Sequence, residues 1–447
     1  MNKKQYLAEN RSCQVLRCGL AGAVAVGAFA AVPSRASAQL IQQYFSPAIP
    51  GYAPDFKASV VNRMNAQNTQ AGVPVGSLVV RPKITESAGY NSDTLAVPHS
   101  GSAELESAAE LDVNSNWAQN ALGASVSVDN RRYFALPSAG YTNWSAGVGG
   151  SLNIGQDKLT LGYSRLALNL AATDLGVIGV VTPVPYSVND ARASYDTVFA
   201  RFSLTPSFEY ENFEFGKSTG SNVLNYNTLN HQVESGGITG RYDFVPGNAA
   251  LIIIRGAESQ FSVQAANEYQ DIGAYAGLDF AGDEIIQYRA LVGAETRHFA
   301  HSPSADQTIP VFEVNAVWTP TELDTVTLSG VRRFDDPTSP FARDQITLDG
   351  RVEIDHELRQ NVFLTGYAEA ARSTAQPSTP GEVSIAQTQV DLGVSALWNI
   401  NQNLRGTLSY GLNNSTNNNR SINATTAPTG YRNFSSDTVL LGISLFE

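Results

Sequence analysis

The feature that most limits this chain is a two-residue rhythm of polarity repeated over most of its length. In 103–117, Leu105, Ala109, Leu111 and Val113 fall on one parity, and Glu104, Glu106, Glu110 and Asp112 on the other. In 344–356, Ile346, Leu348, Val352 and Ile354 alternate with Gln345, Thr347, Asp349, Arg351, Glu353 and Asp355. The same split runs through 285–299, 387–400 and 404–413. A period of two belongs to β-strands, whose successive side chains point to opposite faces. No segment from about Ser77 onward carries a helical period of convincing length. The chain reads as all-β, with strands greasy on one face and charged on the other.

Alternation alone fits two architectures, because a soluble sandwich also turns one polar face to water. The links between strands separate them. Short links fall near 117–120, 155–158, 205–207, 246–248, 282–284, 320–324, 357–361 and 401–403. Interleaved with these are long ones near 91–101, 135–141, 173–192, 217–230, 263–270, 300–309, 335–343, 374–382 and 414–432. Tight turns at one rim and longer loops at the other describe a transmembrane, antiparallel, up-and-down β-barrel. The spacing predicts eighteen strands over 76–447, with sixteen as the alternative count, and places both chain ends on the short-turn, periplasmic side. In 159–172 and 208–215 the apolar set switches parity midway, and a β-bulge is expected in each.

Aromatic residues gather at strand ends. Trp117, Phe244, Phe280, Trp318 and Trp398 lie near short links, while Trp144, Phe299, Phe334 and Phe434 lie near long ones. Amphipathic rings at two levels are expected of a barrel girdled at both membrane interfaces. A mean hydropathy of −0.15 and the lack of a second long apolar run exclude a multi-helix membrane protein.

The one apolar run is N-terminal. Lys3, Lys4, Arg11 and Arg17 precede an apolar core over 19–32, and Ala36-Ser37-Ala38 follows, the layout of a secretory signal peptide cleaved after Ala38. Cleavage removes both cysteines, Cys13 and Cys18, and takes away five basic residues and one acid. Of 29 basic and 41 acidic residues, 24 and 40 remain, a net charge of −16 that makes nucleic acid a poor partner. Residues 39–75, with four prolines and little periodicity, read as an extended segment, periplasmic or tucked into the lumen.

Some wording is familiar. Gln42-Gln43-Tyr44-Phe45 with Pro50-Gly51, then Val75-Gly76-Ser77-Leu78-Val79-Val80-Arg81-Pro82 and Glu86-Ser87-Ala88-Gly89-Tyr90-Asn91-Ser92-Asp93, resembles the start of the putative β-barrel porin type 2 family of proteobacterial outer membranes. Asn91-Ser92-Asp93 departs from the family's Asp-x-Asn wording. The resemblance implies an outer-membrane barrel and, for some relatives, a link to exopolysaccharide systems; it supplies no catalytic residues. The last strand, with Val439, Leu441, Ile443 and Leu445 alternating up to Phe446, is similar to the C-terminal strand that outer-membrane proteins present to the barrel assembly machinery, although Glu447 displaces the terminal aromatic by one position.

No catalytic constellation stands out, and no cofactor or metal is expected. Zinc motifs are absent, and His298 and His301 with Asp306 read as loop polar residues. The glycines of 147–150 lie in a strand with no following helix, which excludes a phosphate loop. The informative set is the polar parity. With apolar residues facing lipid, Glu104, Glu106, Glu110, Asp112, Asp129, Arg131, Arg241, Asp243, Arg289, Glu295, Arg297, Glu313, Arg333, Asp349, Arg351, Glu353, Glu369, Asp391 and Arg405 face the lumen. Buried charges need water or partners. They either wet a selective channel or brace the lumen as a paired ladder. The leading expectation is a non-enzymatic, porin-like channel for passive diffusion of small hydrophilic solutes. The alternatives are an envelope component of exopolysaccharide secretion, as conduit or structural partner, and an adhesin using the loops at 173–192 and 414–432.

Overall fold

The computed structural model describes residues 41, 44–52, 72–96, 99–177, 180, 182–216, 225–281, 285–301, 306–377, 384–417 and 433–447. The expected signal peptide and its cleavage site, Gln42-Gln43, residues 53–71, the short link 282–284 and most of the loop at 414–432 lie outside the described residues.

A short strand, β1 (Val73–Val75), folds back on β2 (Leu78–Asn91). Then follow β3 (Ser102–Ser115), β4 (Ala121–Tyr133), β5 (Tyr141–Ile154), β6 (Asp157–Leu170), β7 (Val184–Phe199), β8 (Phe202–Phe215), β9 (His231–Val245) and β10 (Asn248–Phe261). The second half comprises β11 (Tyr269–Phe280), β12 (Ile286–His298), β13 (Gln307–Thr321), β14 (Asp324–Asp335), β15 (Ala342–Arg359), β16 (Val362–Pro377), β17 (Ile385–Asn399), β18 (Leu404–Asn417) and β19 (Phe434–Phe446). Each strand from β2 onward pairs antiparallel with the next, and β19 pairs with β2 from Thr438↔Asn91 to Phe446↔Lys83. The result is a closed barrel of eighteen strands, β2 to β19. Closure pairs the two end strands of the sheet, the condition for it to cross lipid with its backbone polar groups satisfied.

The two rims differ as the link lengths predict. One carries tight turns such as 155–156, 246–247, 322–323 and 360–361; the other carries the long connections, from 92–101 to 418–433. The barrel chain enters at Leu78 and ends after Phe446 at the short-turn rim, beside 116–120 and 400–403. One expected turn is corrected. β7 and β8 reverse at 200–201, with Phe199 opposite Phe202 and Ala200 at φ 54, and not at 205–207. Pro206 lies within β8 opposite Ile238; the β7–β8 ladder is interrupted beside it, since proline brings no N–H.

The two expected bulges are also corrected. β6 pairs in continuous register with both β5 and β7, and β8 does so with β9. Register shifts lie elsewhere, at Asn248/Ala249, Trp318/Thr321, Ala342/Asp344 and Glu357/Arg359. The parity break has a different cause. Leu166, Leu168, Leu170, Phe213 and Phe215 stay on the inner face and are buried there, in an apolar cluster with Val184, Tyr186, Val188, Tyr226, Leu229 and Val233. The inner wall itself turns apolar toward the long-loop rim.

On the outer face, Ile252, Ile272, Val292 and Leu441 are 63–66% exposed. In water each would forgo about 1.5–3 kcal/mol of burial; in lipid each is at home. Leu441→Arg, near the middle of β19, is expected to destabilise the barrel in a bilayer by about 2–4 kcal/mol in reversible urea titrations from lipid vesicles. A negligible change there would contradict a lipid-facing position.

Candidate functional site

Of the nineteen acidic and arginine residues expected on the polar parity, Glu106, Arg131, Arg241, Asp243, Arg351, Glu353 and Glu369 pair among themselves, and Glu110, Arg289, Arg297, Glu313 and Arg333 pair with charges outside that set. On β3 and β4, Arg131 lies 3.2 Å from Glu106 with Asp129 nearby, and Lys83 of β2 lies 3.3 Å from Glu110. Glu104 and Asp112 are buried on the same wall. Arg241 pairs with Asp243 at 2.9 Å and with Asp279, which Arg289 also reaches at 3.2 Å. Arg255 stands 3.4 Å from Glu313. Arg297 holds Asp271 at 2.7 Å and lies 3.5 Å over the Tyr269 ring, and Glu295 accepts a hydrogen bond from the Tyr275 hydroxyl at 2.9 Å. Arg333 donates to Asp335 at 2.8 Å. Arg351 bridges Glu353 and Glu369 from β15, two residues after the buried Asp349. Asp391 accepts from Gln389 at 3.1 Å, and Arg405 donates to Asn399 at 2.8 Å. Wall charges and bracing charges are thus the same residues.

Three segments enter the lumen. The first is N-terminal. Residues 44–52 form successive tight turns, Tyr44 N to Ile41 O (3.0 Å), Ile49 N to Ser46 O (3.1 Å) and Tyr52 N to Ile49 O (3.1 Å), and dock on the inner wall of β3 to β7. The second is the β6–β7 connection. Leu175 is fully buried against Ala371 of β16, and Gly176 N donates to Gln387 Oε1 of β17 at 2.9 Å, so this loop reaches the opposite wall. At Gly176 (φ +78) a side chain would strike Gln345 and Thr338, so glycine is required both by conformation and by space. The third is the β14–β15 connection: Asp336 accepts from the Tyr269 hydroxyl at 2.6 Å and lies 3.4 Å from His231 Nε2. Burial pushes the Asp336 carboxyl up, but His231, Arg297 and Tyr269 outweigh it and hold it down to about 2.

The inward loops correct part of the aromatic girdle. Trp117, Trp144, Phe244, Trp318 and Trp398 are exposed on the outer side, and Phe280 stacks on Tyr288 and meets Phe244 edge-on. Phe299, Phe334 and Phe434, expected at the outer interface, are instead 3%, 6% and 7% exposed. Phe299 packs with Phe261 and Tyr269 under Arg343. The ladder between β13 and β14 stops at Phe312↔Arg332, and beyond it β14 carries Phe334 onto Ile309 and Val311 of β13. Phe434 falls on the inner parity of β19. The loop at 173–192, expected as an outer surface, is partly the start of β7 and partly this inward fold.

Between the N-terminal segment, the β14–β15 connection and the wall of β7 to β14 remains a cavity of about 530 Å³. Its lining includes Arg192, Glu209, Glu211, Arg255, Asp271, Tyr275, Glu295, Arg297, Glu313 and Arg333. Arg192, Glu209 and Glu211, with the neighbouring Asp190, fall outside the polar set expected from sequence, because 173–192 reads as a loop and the parity of 208–215 switches midway, whereas all four lie on the β7–β8 pair. Asp190, Glu209 and Glu211 bring carboxylate oxygens within 4.8 Å of one another, and Arg192 lies 3.1 Å from Asp190 and 2.7 Å from Glu209. His298 and His301 do not converge: one meets Asp306 at 2.6 Å, the other Glu268 at 3.0 Å, all at the long-loop rim.

A family model described as Putative beta-barrel porin 2 matches residues 68–432. No curated protein matches the chain. Solved structures similar to it include OccAB2 of Acinetobacter baumannii (9% identity, 83% of this chain and 98% of that one, TM-score 0.43) and OpdQ of Pseudomonas aeruginosa (10% identity, 83% and 98%, TM-score 0.44). A third is the siderophore receptor PirA of Acinetobacter baumannii (6% identity, 82% and 80%, TM-score 0.42).

The inward β6–β7 loop carries its own pH dependence. Burial raises the Asp174 carboxyl from its ordinary 3.8 to about 7, while the Ala171 N–H, 2.7 Å away, and Arg131 lower it. An acid raised by folding takes up a proton as the loop folds in. The fold is therefore held best below 3.8, loosens as pH climbs toward about 7, and loosens no further above that. Proteolysis of the loop is expected to quicken between about pH 4 and about pH 7, and Asp174→Asn to flatten the profile. Equal protection of the wild-type loop across that range would contradict this reading.

Proposed function

The chain belongs to the Putative beta-barrel porin 2 family, and from that premise we propose that it is an outer-membrane channel through which small hydrophilic solutes diffuse passively. The observation that carries this reading is the closed eighteen-stranded sheet, apolar outside, with a charged inner wall around a residual cavity of about 530 Å³. A charged wall keeps a path wet, and the mixture of carboxylates and guanidinium groups along it biases which solutes enter. A cavity of that volume suits compounds the size of common small-molecule ligands. In this reading the short-turn rim faces the periplasm, the barrel meets outer-membrane lipid through its exposed aliphatic face, and β19 is the strand that the assembly machinery engages.

Size favours small solutes over a polymer. The β6–β7 loop, fixed through Leu175 and Gly176 to the far wall, lies across the route an extended polysaccharide would take. A secretion conduit would need that loop displaced.

Purified protein in planar bilayers is expected to give discrete conductance steps, and proteoliposomes to swell in small sugars and not in long polyethylene glycols. No ion current together with no swelling would overturn the proposal.

A further inference from the structure

The channel reading leaves open what sets the width and selectivity of the path, and the N-terminal segment bears on it. Residues 44–52 are held inside the barrel at three levels. Deepest is a cradle of glycines on the inner parity. A Cβ on Gly147 or Gly149 would stand 2.6 or 2.7 Å from Ile49, one on Gly123 would stand 2.4 Å from the Ala48 carbonyl, and one on Gly162 would stand 2.6 Å from the Tyr52 ring. A side chain at Gly123 or Gly149 would strike the segment's backbone carbonyls and one at Gly147 or Gly162 would crowd Ile49 or Tyr52, so the strands and the segment fit each other.

The second level is polar. Ser46 Oγ donates to Asp112 at 3.2 Å, Asn114 Nδ2 to the Ala48 carbonyl at 2.6 Å, Asn143 Nδ2 to the Tyr44 hydroxyl at 2.8 Å, and the Tyr52 hydroxyl to Asp190. The third is a clamp. Phe45 and Tyr52 stack 4.8 Å apart, and the Arg192 guanidinium lies 4.5 and 4.6 Å from their ring centres while still paired with Asp190 and Glu209. Gly51, at φ +95, turns the chain against Thr160 and lines the cavity.

We propose that residues 44–52 are a lumenal strap that forms the specificity-determining constriction of the channel, docked in the cradle of Gly123, Gly147, Gly149 and Gly162 and clamped on Arg192. The strap, and not the bare barrel, then fixes the exclusion limit. It occupies the β3 to β7 side of the lumen and confines solutes to the β7 to β14 side. Removing its anchors widens the path without altering any barrel strand.

The inference rests on the channel reading, and single-channel recording separates the two. Three proteins are compared in planar bilayers: the full chain, a deletion of 44–52, and the double variant Phe45→Ala/Tyr52→Ala, which leaves every wall residue in place. Barrel integrity is checked by circular dichroism and heat-modifiable gel mobility. Both variants are expected to show conductance several-fold above the full chain and to admit larger polyethylene glycols. Unchanged conductance and an unchanged polymer cut-off in both intact variants would overturn the strap and spare the channel reading. A silent full chain with conducting variants would uphold the strap but overturn open diffusion through the resting protein. Silence in all three would overturn both.

Discussion

Everything in this protein depends on the seam between β19 and β2. Lipid offers no partner to a peptide N–H or C=O, so a sheet that crosses it must join its own edges. The nine residue pairs of that seam, Thr438↔Asn91 through Phe446↔Lys83, turn a long meander into a closed wall. Once the wall is closed, the parity of every residue becomes a choice between lipid and lumen. Outward positions follow that choice with Ile, Val and Leu; inward positions are freed from it and carry the charges.

Some of those charges are held in close ion pairs, which changes their meaning. Arg131, Arg192, Arg241, Arg297 and Arg351 each sit between or against carboxylates on their own or neighbouring strands. At the two pairs buried on both sides, Arg131–Glu106 and Arg297–Asp271, removing one partner costs about 3–5 kcal/mol, so the wall resists change there. Bracing and wetting are therefore not competing explanations for the same residues. The lumen is also not an empty tube: the strap, the β6–β7 loop and the β14–β15 connection fill much of it, and the apolar residues on the inner face of β6 to β9 exist to receive them.

Much of this was legible from residue order alone, and the parts that were not share a cause. Alternation and link length gave the strand number and the two unlike rims. They failed where a segment inside the lumen gave the inner face an apolar surface to match. Leu166 to Leu170 and Phe213 to Phe215 looked like broken parity because one-dimensional reading assumes that the inside is polar. Phe299, Phe334 and Phe434 looked like girdle residues because proximity to a loop does not say which way that loop folds. Pro206 drew a turn away from 200–201 for a similar reason, since a proline can also sit in a strand where the ladder is interrupted. The glycines of 147–150 were noticed for their composition, but only the docked Ile49 explains two of them.

The strap also bears on the order of assembly. It precedes β2 in the chain, whereas the seam also needs β19, so the two partners of that join are separated by almost the entire barrel sequence. Contacts so remote form late. A segment that lies ahead of β2 and docks on β3 to β7 can thus meet its wall before the seam joins, as a stave cask is raised around a core.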